Sequence, residues 1–314
     1  MINFLVSTIA LGVVFLYGCV GEIITEKAGH LNLGIPGIMC LGTAGGAVGV
    51  AIYMNSLPDA NSAVWIWAIL ISFIFSVLFS GIGGLIYSFL TVTLKANQNV
   101  TGLALTTFGA GFVDYVMTTI DKTRFAAASG LFKLSISTSS NWFCKLFLSY
   151  GFYIYLAIAI AFVAAFVLRK TKVGLYLRAV GENPATADAA GINVNKYKYL
   201  AILIGSAIAG LGGLTYLMDY VRGSWENSNT IQAMGWLAIA LVIFTLWKPD
   251  LSILGAFVFG ALYLEATKLR TIFYLLDSIP YLITILVLIL TSVFDSRENQ
   301  PPAALGLAYF REER

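Results

Sequence analysis

The sequence predicts an all-α, polytopic integral membrane protein with about nine transmembrane helices, within a range of eight to ten. Of its 314 residues, 59% are hydrophobic and only 11% are charged, against roughly 25% charged in an average soluble domain. The mean hydropathy of +0.84 over the whole length leaves no room for a sizeable soluble domain. We therefore expect residues 1–314 to form a single transmembrane domain.

Nine apolar stretches support this count, because a helix needs about 20 mostly apolar residues to cross the roughly 30 Å hydrocarbon core. The first has no Lys or Arg before it, so it lacks the basic start of a signal peptide and is expected to remain as a span. Splitting the third stretch or merging the last two would change the count to ten or eight. The stretches are 2–20, 31–54, 64–93, 100–120, 150–168, 200–218, 231–247, 251–265 and 279–294.

At the start of the second stretch, Gly34, Pro36 and Gly37 interrupt the helical pattern. Backbone groups freed by such a break must be buried in protein or lie beside a water-filled cavity. The break is therefore compatible with a discontinuous element beside a transport pathway. It is equally compatible with an ordinary kinked entry, since Gly and Pro are common in membrane helices.

The basic residues of the loops predict the orientation. Residues 169–199 carry six Lys or Arg against two acids, so the positive-inside rule places this loop in the cytoplasm. Counting spans outward from it places the C-terminus inside and the N-terminus outside. The connection 121–149 then lies outside although it is also basic, which conflicts with the rule.

The middle of loop 169–199 has the pattern of a short helix. Asn183 is a favoured N-cap, Pro184 suits the first turn and Gly191 suits the position that ends the helix. A helix of about seven residues does not persist alone in water, so it must dock, either in a groove of a partner protein or on this protein's own membrane face. Its small, smooth surface would consist of Ala185, Ala187, Ala189 and Ala190.

Two sequence blocks carry a family resemblance. Residues 174–184 (GLYLRAVGENP) and 187–192 (ADAAGI) resemble the cytoplasmic coupling loop of bacterial ABC importer permeases, in the group for branched-chain amino acids, ribose and nucleosides. Residues 21–34 (GEIITEKAGHLNLG) resemble the start of permeases that work with nucleoside-binding lipoproteins of the basic membrane protein type. Pro36 departs from these relatives, which often carry an acidic residue there.

The resemblance implies a fold like that of type II ABC importer permeases in the bacterial cell membrane, with nucleosides as substrates. Its implied partners are ABC ATPase subunits, a second homologous permease in a heterodimer and an extracellular substrate-binding lipoprotein. The residues that would couple to the ATPase are Gly181, Glu182, Asn183, Pro184, Ala185, Ala187, Asp188, Ala190 and Gly191.

The sequence argues against chemistry within this chain. It has no phosphate loop and no Gly-Lys pair, so ATP and Mg²⁺ are expected on the partner ATPase and no cofactor on this chain. Its one histidine, His30, allows neither a two-histidine zinc site nor a catalytic triad, and its position beside Gly29 is typical of a membrane interface. Three cysteines lack metal spacing, and a net charge of +3 does not indicate nucleic acid binding.

Polar residues within or beside the spans are the candidates for lining a pathway, because leaving them in hydrocarbon is costly. Among the candidates, the asparagine and glutamine side chains could bind a nucleobase or ribose, and the phenylalanine ring could stack on a base, although amides at span ends are also ordinary helix caps. The aspartate could line the pathway, join two helices or lie near the outer interface. The candidates are Asn32, Asn97, Gln98, Asn99, Phe108 and Asp114.

The main alternative is a secondary transporter driven by an ion gradient, which would usually keep acidic groups near the middle of the membrane. Most acids, including Glu22, Glu26 and Glu265, are expected in loops or at span ends, and Asp114 is the main exception. A membrane scaffold without transport activity is a third possibility. The pattern favours the ABC permease.

Overall fold

The computed structural model of the protein describes residues 2–59, 62–132, 141–269 and 300–310, together with Ile285 and Ile289. Every regular element in these ranges is a helix, as predicted. They are α1 Ile2–Lys27, α2 Ile35–Ser56, α3 Trp65–Ser88 with a π-helical end Phe89–Thr93, α4 Gln98–Thr119, α5 Lys122–Phe132, α6 Trp142–Phe147, α7 Phe152–Lys170, α8 Lys172–Glu182, α9 Pro184–Ala189, α10 Val194–Thr215 with a π-helical end Tyr216–Tyr220, α11 Asn229–Phe244 and α12 Pro249–Leu269.

Seven of the described helices are long and apolar enough to cross a membrane. They coincide with seven of the nine predicted stretches. The stretch 231–247 corresponds to α11, whose 16 residues extend only about 24 Å. The stretch 279–294 lies outside the described residues, so the predicted number of nine spans is not confirmed.

Helix α1 is the central element of the fold and is longer than predicted. It packs against α7, α10, α11 and α12, and all its residues from Leu11 to Glu26 except Ile24 are buried. The apolar stretch ended at residue 20 in the prediction, whereas the helix continues to Lys27. Glu22 and Glu26 therefore lie at the end of the first span, as expected, but in the last two turns of α1 and buried in the helix bundle rather than in a loop.

Close backbone contacts join α2 to its neighbours. A Cβ atom added to Gly42 would lie 2.3 Å from the Cα atom of Gly210 in α10, and one added to Gly37 would lie 2.3 Å from the carbonyl oxygen of Leu105 in α4. Any side chain at these positions would force the helices apart. The small residues therefore do what helix packing in lipid requires of them, since they let the backbones touch.

The helical break predicted near Gly34 lies between α1 and α2. Residues 28–34 form no regular element, and His30, Asn32 and Gly34 are all buried. Pro36 falls in the first turn of α2, where its missing N–H costs nothing. Gly37 lies inside α2 and is a site of close helix packing, so it does not break the helix.

One end of the bundle gathers several distant segments, and we call it the coupling end: residues 28–34, 94–97, 171–193 and 300–310. The backbone amide of Ala304 donates to the carbonyl oxygen of Gly181 over 3.0 Å, and the backbone amide of Gly306 donates to the carbonyl oxygen of Gly29 over 3.2 Å. The ammonium of Lys95 lies 4.1 Å from the centre of the Phe310 ring. At the other end, Gly223 packs near Phe125 of α5.

Candidate functional site

The coupling end contains the predicted short helix, α9, directly after α8. The side-chain oxygen of Asn183 accepts a hydrogen bond from the amide of Thr186 over 3.0 Å, and Pro184 occupies the first turn. Gly191 has a φ of +82°, which suits glycine, and its amide donates to the carbonyl of Asp188. The helix has six residues, and its caps lie where the sequence predicted them.

The inner side of α9 rests on this protein. Ala187 is only 3% exposed and belongs to a small apolar cluster with Val180 and Val194. Asp188 accepts a hydrogen bond from the hydroxyl of Tyr309 over 2.9 Å. The structure therefore corrects the prediction that Ala187 is part of a surface presented to a partner, because its side chain is occupied within the chain.

The remaining exposed residues form a second side, which we call the outer face of α9. It combines small side chains with one acid and two polar groups, and it is open to solvent along its length. Ala185 is half-buried at its edge. The outer face consists of Glu182, Asn183, Thr186, Ala189, Ala190 and Gly191.

The coupling segment is attached to α1 through Gly181. A Cβ atom there would lie 2.3 Å from the carbonyl oxygen of Lys27 and 3.2 Å from the amide nitrogen of Gly29. The backbone of α8 thus lies directly on the last turn of α1. A force applied to the outer face of α9 would reach the central helix through this contact, since packed backbones transmit displacement with little compliance.

A buried polar cluster lies immediately beyond this contact. The amide of Asn32 donates to Oε1 of Glu22 over 2.8 Å, and the amide of Leu31 donates to Oε1 of Gln98 over 2.8 Å. The hydroxyl of Tyr87 donates to the carbonyl of Leu31 over 2.6 Å. The loop between α1 and α2 is therefore tied to α1, α3 and α4, and two pathway candidates, Asn32 and Gln98, lie within it.

Two buried acids of this region, Glu22 and Glu26, were not predicted as site residues from the sequence. Glu22 is fully buried, and Oε2 of Glu26 accepts a hydrogen bond from the indole nitrogen of Trp247. The sequence does contain a signal for their position, because a basic residue such as Lys27 followed closely by a glycine such as Gly29 is typical of the C-terminal end of a helix. Gly29 has a φ of +81°. Extending the first helix to that stop would have placed both acids in it.

The other pathway candidates lie elsewhere. Asn97 caps α4 by accepting from the amide of Val100 over 3.1 Å, and Asn99 is exposed. Phe108 is 53% exposed and stacks on Phe112 at a centroid distance of 5.9 Å. These residues are exposed on the outside of the helix bundle, whereas Gln98, between the two asparagines, is buried in the cluster.

Asp114 joins two helices. Its two carboxylate oxygens accept hydrogen bonds from the amide and the hydroxyl of Ser228, over 3.0 and 2.7 Å. Ser228 immediately precedes α11, so the carboxylate lies at the positive end of that helix, where it is stabilising. This arrangement corresponds to the helix-joining alternative.

His30 is 1% exposed, so its side chain lies inside the fold rather than against lipid or solvent. Neither ring nitrogen has a hydrogen-bond partner among the described residues. Burial, and secondarily the charge of Lys198, lowers the pKa of His30 from 6.5 to about 3. Within the described residues, no group of three His, Cys, Asp or Glu side chains could hold a metal ion.

The buried imidazole predicts a loss of stability in mild acid. The folded protein keeps His30 neutral down to about pH 3, whereas the unfolded chain protonates it below pH 6.5. The unfolded state therefore binds more protons in that window, and stability falls as the pH falls. From pH 6.5 to pH 5 the expected loss is ~2 kcal/mol. Thermal unfolding of the purified chain in detergent at the two pH values measures this loss of stability, and the control is His30→Gln, which has no imidazole to protonate. Equal losses of stability in the wild type and in the variant would refute the prediction.

The family comparison covers most of the chain. Residues 4–292 match the family described as branched-chain amino acid transport system / permease component. The Haloferax volcanii protein TsgC13, named as a glucose ABC transporter permease, is 31% identical over 84% of this chain and 76% of its own length.

Two further relatives are named for nucleosides. The guanosine ABC transporter permease protein NupQ of Bacillus subtilis is 29% identical over 94% of this chain and 92% of its own. The nucleoside ABC transporter permease protein NupC of Lactococcus lactis is 28% identical over 78% of this chain and 76% of its own. The family match at residues 4–292 includes helices α2 to α12 and residues 171–193 of the coupling end.

Proposed function

This chain belongs to the family of the branched-chain amino acid transport system permease component, and from that premise we propose that it passes nucleosides through the membrane into the cytoplasm. It is a multi-pass permease subunit of an ABC importer. ATP is hydrolysed in separate partner subunits, and a substrate-binding protein delivers the solute. Membership in the family argues against the alternative of an ion-gradient-driven transporter.

Two observations support nucleosides as the substrate class. The relatives NupQ and NupC carry nucleoside names at 29% and 28% identity, and residues 21–34 resemble the start of permeases that work with nucleoside-binding lipoproteins. The relative named for glucose is 31% identical, so a sugar is the second candidate. A nucleoside contains a ribose, so both substrates would offer hydroxyl groups to buried side-chain amides such as those of Asn32 and Gln98.

The observation that carries the mechanism is the division of α9 into an inner side packed on this chain and an exposed outer face. We assign the outer face to the ATPase, which binds ATP and Mg²⁺ itself. Closure of the ATPase on nucleotide would push α9 against α8, and the contact of Gly181 with Lys27 would pass the movement to α1. Such a shift can be driven only by a difference in nucleotide affinity between the two states.

The remaining partners follow from the orientation. With the coupling end in the cytoplasm of a bacterial cell, residues 300–310 also lie inside, and Ile2 at the other end of α1 lies outside. The extracellular lipoprotein would then dock near the turn after α10, where a cavity of about 290 Å³ is bordered by Phe125, Arg222 and Trp225. A second homologous permease would complete the heterodimeric pathway.

Reconstitution tests this function. The chain is placed in proteoliposomes with its ATPase, a sister permease and the binding protein, and uptake of labelled guanosine is compared with uptake of glucose and leucine. We expect guanosine uptake that requires hydrolysable ATP and survives collapse of ion gradients. Uptake that follows an ion gradient without ATP would refute the permease function, and a preference for glucose would refute the nucleoside assignment alone.

A further inference from the structure

Residues 300–310 lie against the coupling segment, and we call them the clasp. They contact four stretches that are far apart in sequence: the loop after α1, the end of α8, helix α9 and the turn before α4. Pro302 and Ala304 are buried, so the clasp is packed onto the molecule. The path from the ATPase to α1 described above does not include it.

Two backbone hydrogen bonds of the clasp lie on either side of the contact between α1 and α8. The amide of Ala304 donates to the carbonyl oxygen of Gly181 over 3.0 Å. The amide of Gly306 donates to the carbonyl oxygen of Gly29 over 3.2 Å. A Cβ atom added to Gly29 would lie 3.3 Å from the Cα atom of Gly181 and 3.4 Å from the carbonyl oxygen of Ala304. The clasp is therefore bonded to both sides of that contact and holds them together.

The clasp also holds α9. The hydroxyl of Tyr309 donates to Oδ2 of Asp188 over 2.9 Å, and a hydrogen bond to a carboxylate is stronger than one between neutral groups. The same side chain packs against the small cluster of Val180, Ala187 and Val194. A helix of six residues does not persist alone, so Tyr309 adds one polar and one apolar contact to the few that keep α9 in place.

A separate contact attaches the clasp to the membrane helices. The ammonium of Lys95 lies 4.1 Å from the centre of the Phe310 ring, where the face of the ring attracts a cation. Lys95 belongs to the turn between α3 and α4, so this attachment is independent of α8 and α9. Because it is bonded at Gly29 and attached at Lys95, the clasp can resist a displacement of α9.

We propose that the clasp positions the coupling segment and that Tyr309 is its positioning residue. A push on the outer face of α9 can either shift α8 against α1 or tilt α9 alone. The clasp suppresses the tilt, so the push reaches α1. This proposal rests on the assignment of the outer face to the ATPase. It adds the requirement that an ATPase bound to a chain with a released clasp hydrolyses ATP with less transport per ATP.

Two clasp variants release this segment without changing the outer face. Tyr309→Phe removes only the hydroxyl that bonds Asp188. Gly306→Val strains the backbone, because Gly306 has a φ of +79°, and no atom of the described part of the chain lies within 4 Å of its added Cβ. Gly306→Asn is the rescue variant, since asparagine tolerates this conformation. The control is Tyr53→Phe, at the opposite end of the bundle, whose lost hydroxyl accepts from the amide of Val64 over 2.8 Å.

The first measurement is amide hydrogen exchange of the full chain purified in detergent without the ATPase. The amides of Ala190, Gly191 and Ile192 close the end of α9 with hydrogen bonds, so their exchange reports how firmly α9 is held. We expect exchange about threefold faster or more in both clasp variants, the effect of losing one hydrogen bond, and rates close to wild type in the rescue variant and the control. Wild-type exchange in either clasp variant, or an equal increase in the control, would overturn the proposal.

The second measurement is transport in proteoliposomes that contain the ATPase, the sister permease and the binding protein. We expect the ATPase to co-purify with Tyr309→Phe and to hydrolyse ATP, while the guanosine taken up per ATP falls below that of the wild type and the control. A wild-type ratio in both clasp variants would overturn the proposal. So would loss of the ATPase from Tyr309→Phe, because the residue would then belong to the docking surface. A wild type that takes up no guanosine with ATP would instead refute the proposed function, whereas the hold of the clasp on α9 is decided by hydrogen exchange alone.

Discussion

Ala190→Trp is expected to abolish co-purification of the ATPase with this chain. Ala190 is exposed directly after the last residue of α9 and belongs to the outer face, whose small residues would enter a groove of the partner. An indole ring cannot fit where a methyl group fits. A loss of at least tenfold in affinity corresponds to about 1.4 kcal/mol or more.

The matched control is Ala127→Trp. Ala127 is also exposed and helical, but it lies in α5, at the opposite end of the bundle. It should leave co-purification unchanged, and both variants should melt like the wild type. Retention of the ATPase by Ala190→Trp would show that the outer face is not the docking surface. Ala187→Trp would not serve, because its side chain would enter the apolar cluster with Val180 and Val194.

Gly42→Leu is expected to destabilise the membrane fold severely. Its Cβ atom would lie 2.3 Å from the Cα atom and 2.4 Å from the carbonyl oxygen of Gly210. Backbone atoms cannot move aside as a flexible side chain can, so α2 and α10 would have to separate. Overpacking of this kind costs about 1–3 kcal/mol and occasionally more, and contact with backbone on the partner helix argues for the upper end.

Gly81→Leu controls for the loss of a helical glycine. No atom of the described part of the chain lies within 4 Å of a Cβ added there, so the same substitution in α3 should be neutral or stabilise by up to about 1 kcal/mol through helix propensity. Unfolding in mixed detergent micelles measures both variants. Similar stabilities for Gly42→Leu and Gly81→Leu would contradict the contact between α2 and α10.

Several properties of this protein could be predicted from the sequence because they depend on neighbouring residues alone. Hydropathy averages transfer energies over a short window, and it located eight helices among the described residues. The cap of α9 joins Asn183 to Thr186, three positions away, and Gly191 needs only its own backbone freedom. The two sequence blocks likewise indicated the permease family without reference to any distant contact.

What depends on distant residues needed the tertiary structure. Ala187 and Ala190 are indistinguishable by residue type, and only packing against Val194 decides which one is buried. Neighbouring helices on several sides keep Glu22 from water, and Ser228, 114 positions away, engages Asp114. A local sequence pattern reflects the free energy of transferring one segment between water and lipid. Which side of a helix contacts which neighbour depends instead on the packing of all the helices together.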